Sequence, residues 1–263
     1  MESSVKKEKY LPFLQAAVIT AAFLIVEIVL QELGAFGEGA RLYLVDVPLR
    51  VLFGCTALFF LKRHSSEPLK ELFTKKVGRR TWLYLIPFAA YLVLTLMTML
   101  AATVFTGKMA GLFALNTAQQ AATGFYEEGC MRGLMMCGLL KHLKDTKADR
   151  LKAVWLTGGF FGLSHGLNFF FGQDIPSTLL QVLGCALWGA FMAAVYMQSR
   201  SLTLVMVMHA VWDTVVRIPG AFCVFPESSL YLDVTEVCCD VIQFGVLPIM
   251  AVVICLRYKN TEA

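Results

Sequence analysis

Long apolar runs, each about the length of a bilayer crossing and each bounded by charge or turn residues, decide what this chain can fold into. They fall at about 11–33, 42–61, 82–105, 112–140, 151–171, 177–198, 202–218 and 237–256. Roughly 20 mostly apolar residues are needed for one helical crossing. Eight such runs in 263 residues leave little chain for anything else. Charged residues make up 16% of the sequence, against about 25% in a soluble domain. The expected fold is therefore all-α, a polytopic membrane bundle of about eight transmembrane helices. The run at 112–140 is the most interrupted, by Asn116, Gln119, Gln120, Glu127, Glu128 and Arg132. It starts at the interface or breaks near Gly124. No internal repeat or low-complexity linker divides the chain, which reads as a single membrane domain over 1–263.

The basic residues give the bundle an orientation. Every Lys and Arg other than Arg41, Arg50, Lys108, Arg132 and Arg217 lies in the N-terminal tail, in 62–80, in 141–152, at Arg200 or after Leu256. These segments all fall on one face if eight crossings alternate. The positive-inside rule then places both termini in the cytoplasm. Lys6, Lys7 and Lys9 precede an apolar stretch with no small-residue cleavage site after it, which reads as a retained first helix rather than a signal peptide. The formal net charge of +4 sits in loops flanking the bilayer and suggests a lipid surface, with no nucleic-acid partner. Leu69, Leu72, Phe73 and Val77 recur at helical spacing among basic residues. They make either a short amphipathic helix on anionic lipid or a solvated loop. Most of the eight cysteines sit in apolar runs without CxxC spacing and read as small buried side chains. Cys223, Cys238 and Cys239 flank one external loop, where a disulfide is conceivable.

An ionisable group near the bilayer centre costs at least about 2.5–3.5 kcal/mol, so such groups pair, face water or do work. Asp46 and Arg50, four apart, share a helix face and read as a structural pair. Glu27 lies one turn from its helix end and reads as snorkelling outward. The stretch Glu127-Glu128-Gly129-Cys130-Met131-Arg132 is chemically denser. Glu128 and Arg132 pair along one face, which leaves Glu127, about 100° away, free for another task. The helix around Ser164-His165-Gly166 carries one histidine and a small-residue face of Gly158, Gly159, Gly162 and Gly166, which invites close approach of a second backbone. In Met208-His209-Ala210-Val211-Trp212-Asp213, Asp213 stands one turn from His209, placed to accept its second ring N–H. The chain has no HExxH pair, Gly-rich phosphate loop or GxSxG elbow. The tryptophans at 155, 188 and 212 read as packing residues.

Taken in order, Glu127-Glu128-x-x-x-Arg132, Phe161-x-x-x-His165 and His209-x-x-x-Asp213 resemble the CAAX protease and bacteriocin-processing family of intramembrane peptidases, which includes the type II CAAX prenyl endopeptidases. The resemblance covers about 118–217. It implies that Glu127 and His165 activate a water molecule for attack on a peptide carbonyl. It further implies that His209 and the residue at 213 stabilise the oxyanion, and that Glu128 and Arg132 hold the site together. The prenyl peptidases usually carry Asn where this chain has Asp213. An ionised Asp repels an oxyanion, so Asp213 is protonated, orients His209 or binds a metal. The last option keeps a zinc ion open, with Glu127, His165 and His209 as ligands. The positions of Glu127 and Arg132 lead to the expectation of a site in the cytoplasmic half.

The resemblance implies an endopeptidase acting on a membrane-associated peptide or a prenylated protein, and a bacteriocin leader is one such peptide. The short loops suggest a bacterial plasma membrane. A non-catalytic bacteriocin-immunity or peptide-binding protein is the alternative, although binding alone does not require Glu127, His165 and His209. A small transporter is a third reading, for which no inverted repeat is visible.

Overall fold

The computed structural model describes residues 2–37, 40–102, 104–105, 113–142, 144, 146–226 and 230–258. Helices α1 (Glu2–Glu32), α2 (Ala40–His64), α3 (Leu69–Thr74), α4 (Arg79–Tyr84) and α5 (Ile86–Thr98) form the first half. They are followed by α6 (Phe113–Glu128), which runs through a π-helical stretch, Gly129–Met136, into α7 (Cys137–His142). Helix α8 (Lys147–His165) tightens into a 3₁₀ turn over Gly166–Phe171 before α9 (Ile175–Ser199) and α10 (Leu202–Phe222). The final rod is α11 (Leu230–Asp240), a π turn over Val241–Val246, and α12 (Leu247–Arg257). The β structure among the described residues is one short antiparallel pair, β1 (Val104–Phe105) with β2 (Cys223–Val224).

Five helices are long and apolar enough to cross a membrane: Tyr10–Glu32, Arg41–His64, Ile175–Ser199, Leu202–Gly220 and Leu230–Arg257. Their outward faces carry large apolar side chains such as Leu14, Ile25, Leu44, Leu183 and Ile249, all exposed. An apolar exterior on this scale suits lipid rather than water. The other three runs read from the sequence are helical but differ in kind. The run at 82–105 is split at Leu85, where α4 ends and α5 begins, leaving Ile86–Ala101 as a shorter apolar helix. The runs at 112–140 and 151–171 carry polar residues of the bundle interior, among them Glu127, Glu128, Arg132 and His165. Neighbouring helices cover most of 120–139, whereas α8 also presents Trp155, Leu156 and Leu163 outward.

Local chemistry starts the helices that surround the centre. Thr146 caps α8 by accepting from the Asp149 N–H at 3.1 Å. Asp174 caps α9 by accepting from the Ser177 N–H at 3.0 Å, and that hydrogen bond holds its carboxyl below the usual range. Ser201 caps α10 through the Leu204 N–H at 3.2 Å. Arg200 turns the chain between α9 and α10 in the left-handed region, φ 54°, so two long helices fold back on each other with almost no loop.

The small-residue face of α8 lies against α9, as its pattern predicts. A Cβ on Gly158 would stand 2.5 Å from the Ala190 nitrogen, and one on Gly162 would overlap the Val182 carbonyl oxygen. Gly159 has open space beside it and takes no part. We expect Gly162→Val to lower the thermal midpoint of the detergent-solubilised protein, at an overpacking cost of about 1–3 kcal/mol. Gly159→Ala should leave the midpoint unchanged. Equal effects at both positions would contradict this packing.

Two surface expectations change. The basic segment after α2 does form a helix, α3, but Leu72 is buried in the protein core and the Thr203 hydroxyl donates to the Phe73 carbonyl oxygen at 2.7 Å. The helix docks on α10. All eight cysteines are free thiols, Cys223, Cys238 and Cys239 included, so the disulfide is not formed.

Candidate active site

The centre of the bundle is built around a buried ion pair. Glu128, at the end of α6, and Arg132, one turn into the π stretch, are both fully buried, with Arg132 Nη1 donating to Glu128 Oε1 at 2.8 Å. Arg132 Nη2 donates to the Gly189 carbonyl oxygen of α9 at 2.9 Å, and its guanidinium lies over the Phe161 ring of α8, 5.0 Å from the centroid. One cation thus ties α6, α8 and α9 together. The π-helical turn begins directly after Glu128. Such insertions widen a helix and re-aim its side chains, and they recur at functional sites.

Helix α10 approaches α6 at Gly124, where a Cβ would stand 2.7 Å from the Met206 carbonyl oxygen. That closeness brings His209 onto the carboxylates. His209 Nδ1 lies 2.7 Å from Glu128 Oε1. Because this oxygen also accepts from Arg132, it is an acceptor toward both, and the His209 Nδ1–H donates to it. The remaining ring nitrogen, Nε2, is 3.6 Å from Glu127 Oε2 and 3.6 Å from Asp213 Oδ2. Glu128 holds the ring through Nδ1, while Asp213, placed by its spacing to orient His209, lies 3.6 Å from the other nitrogen. Glu127 Oε2 is buried and accepts no hydrogen bond among the described residues.

His165 sits at the end of α8, with Nδ1 2.9 Å from the Phe161 carbonyl oxygen. A carbonyl can only accept, so Nδ1 carries the proton and Nε2 is left for other partners. Glu127, His165, His209 and Asp213 all line one cavity of about 390 Å³, with the Cys185 thiol of α9 beside His165. Carboxylate and imidazole groups with unbonded atoms facing one enclosed space can accept a proton from water and donate to a developing negative charge. Among the described residues, no three His, Cys, Asp or Glu side chains form a candidate metal centre.

Sequence reasoning missed half of this cavity. Glu27 faces inward rather than snorkelling, and Arg50 Nη2 reaches its Oε1 at 3.1 Å. Arg50 also binds Asp46 at 2.7 Å, as the i,i+4 spacing predicts, and Gln119 donates to the same Asp46 oxygen at 2.6 Å. Trp188 and Trp212, read as ordinary packing, stack at 4.2 Å between centroids and line the cavity, with Tyr91 stacked on Trp212 at 4.0 Å. Arg217 lies one turn beyond Asp213 on the same wall. Its place at the edge of an apolar run and its i,i+4 spacing from Asp213 are the signals that point to it.

The cavity lies toward one end of the helices. It is walled by the last part of α1, the first part of α2, α6 from Gln119 to Glu127, the end of α8, the first half of α9 and the far half of α10. These are the parts of the helices distant from the basic segments 62–80 and 141–152, not near them.

Fold and site together define a multi-pass helical membrane protein with a carboxylate–histidine centre enclosed in its bundle. Residues 111–215 match the family model described as type II CAAX prenyl endopeptidase, Rce1-like. The match runs from the approach to α6 into α10 and includes Glu127, Glu128, Arg132, His165, His209 and Asp213. This agrees with the family resemblance of the three motifs. No curated protein and no solved structure matches the chain.

Proposed function

We propose that the protein is an intramembrane endopeptidase, with Glu127 and His165 activating water and His209 stabilising the oxyanion. The observation that carries this reading is the unbonded Oε2 of Glu127, set 3.6 Å from His209 Nε2 on the wall of a cavity that His165 also lines. Both atoms face the cavity, so a water held there by Glu127 would stand next to the His209 donor. Glu127 takes a proton from that water as its oxygen attacks the scissile carbonyl, and returns it to the leaving amine as the C–N bond breaks. His165, with Nδ1–H committed to Phe161, offers Nε2 to the same water. His209 has its Nδ1–H on Glu128, so it donates to the oxyanion from Nε2 as the imidazolium. Asp213 lies beside that nitrogen, where its carboxylate balances the imidazolium charge, and as the neutral acid it adds a second donor. Glu128 and Arg132 position His209 and the helix that carries Glu127. The eight-crossing arrangement, with both termini in the cytoplasm, is part of the proposal and rests on the alternation of basic loops.

The test is a His165→Ala variant, with wild type dialysed against a strong chelator beside it. The proposal expects His165→Ala to lower turnover by about 10²–10⁴-fold, the usual contribution of a positioned acid–base group. It expects the chelated wild type to keep its activity. Loss of activity on chelation, restored by Zn²⁺ alone, would replace water activation by Glu127 and His165 with metal chemistry.

A further inference from the structure

We infer that the cavity takes its substrate from the non-cytoplasmic side of the membrane, and that the substrate is a membrane-tethered segment of an exported polypeptide. The inference rests on the peptidase reading and adds to it the side of access and the substrate class. It stands on two independent observations.

The first is where the cavity leads. A second cavity of about 210 Å³ shares Glu27, Arg50, Gln119 and Asn168 with the first. It continues past Gln31 and Phe36 at the end of α1, Leu42 at the start of α2 and Phe171 after α8. The path from Glu127 therefore runs toward the turn after α1 and the turn between α8 and α9. No residue of 62–80 or 141–152 lines either cavity.

The second is charge. The opposite ends of the same helices carry Lys62 to Arg80, Lys141 to Lys152 and Arg200. The end where the path emerges has Arg41 as the basic residue flanking it on α2. Bias of this size fixes the basic end in the cytoplasm, and the mouth is at the other end. A prenylated tail made and kept in the cytoplasm would meet the end away from this path. A polypeptide that has crossed the membrane, still held there by a lipid or a helix, would meet the end toward which the path runs.

The experiment uses the full-length protein in a bacterial host, with a membrane-impermeant maleimide and peptide-resolved mass spectrometry to separate each thiol from the native cysteines. Asn168→Cys probes the mouth and Lys144→Cys the basic end. The expected result is modification of the Asn168→Cys thiol in intact cells and of the Lys144→Cys thiol only in inverted vesicles. The inference is overturned if the two thiols react from the same side, if their sides are exchanged, or if the Asn168→Cys thiol reacts in neither preparation. Labelling needs no catalysis, so it is independent of the peptidase reading. If new chain termini do depend on Glu127 but fall only in cytoplasmic prenylated tails, the peptidase reading survives and this inference does not.

Discussion

Replacing Glu127 with Gln should lower cleavage by about 10²–10⁴-fold while the protein still folds and inserts. The amide keeps the size and polarity of the side chain but cannot accept a proton from water at neutral pH. No hydrogen bond among the described residues ends on its Oε2, and its neighbour Glu128 carries the hydrogen bonds to Arg132 and His209. Thermal unfolding and membrane yield of Glu127→Gln should therefore match wild type. Glu127→Asp tests the geometry further. Shortening the side chain by one methylene withdraws the base from the water position, so activity should fall although the charge is kept. The measurement is turnover on a membrane-tethered peptide, together with the thermal midpoint of each variant. Equal activity of wild type and Glu127→Gln would remove Glu127 from the mechanism.

Arg132→Ala should have the opposite signature, loss of the protein rather than loss of one step. Arg132 is fully buried, bonded to Glu128 and to the Gly189 carbonyl oxygen, and stacked over Phe161. Removing it strands a buried carboxylate, a buried carbonyl and a cavity the size of a guanidinium. Breaking one partner of a buried pair costs about 3–5 kcal/mol, most of it from the charge left uncompensated. That approaches the whole stability of many domains, about 5–15 kcal/mol, so yield and thermal midpoint should drop sharply. The double variant Glu128→Leu with Arg132→Met removes both charges and should recover much of the stability. It should not recover activity, because His209 loses the carboxylate that orients it. Recovery of activity by the apolar pair would show that Glu128 does not position His209.

These two residues, one turn apart, illustrate what a sequence can and cannot reveal. The pairing of Glu128 with Arg132 was legible because i,i+4 spacing puts both on one face of any helix, and the same rule revealed Asp46 with Arg50. Spacing says nothing about the third partner. Glu128 also holds His209, 81 positions away, and the spacing argument instead assigned that task to Asp213, the carboxylate nearest in sequence. Glu27 was misread for the same reason. From its own helix it looks free to snorkel, whereas its partner Arg50 comes from the next helix. The glycine face of α8 was legible because absence of side chains along one stripe has a single packing meaning. The stacked Trp188 and Trp212 were not, since aromatic residues in an apolar helix carry no sign of which ones meet.

The crossings show a similar division. Helices α1, α2, α9 and α10 were recognisable because lipid requires apolar residues on their outward faces. The stretch around α6 is screened by neighbours and answers to the chemistry of the site, so its hydropathy understates its place in the bundle, while α8 starts among Lys147, Asp149, Arg150 and Lys152. The direction of the cavity was not legible from the motif residues alone, because it also depends on helix halves from α1, α2, α9 and α10.

The central claim is that this buried centre cleaves peptide bonds. The most direct measurement compares membrane peptides from cells producing wild-type protein with those from cells producing Glu127→Gln, read by mass spectrometry of new chain termini. The account predicts a set of termini present with wild type and absent with the variant, at equal levels of inserted protein. Identical sets of termini from the two would contradict it and would point to a protein that holds peptides without cutting them.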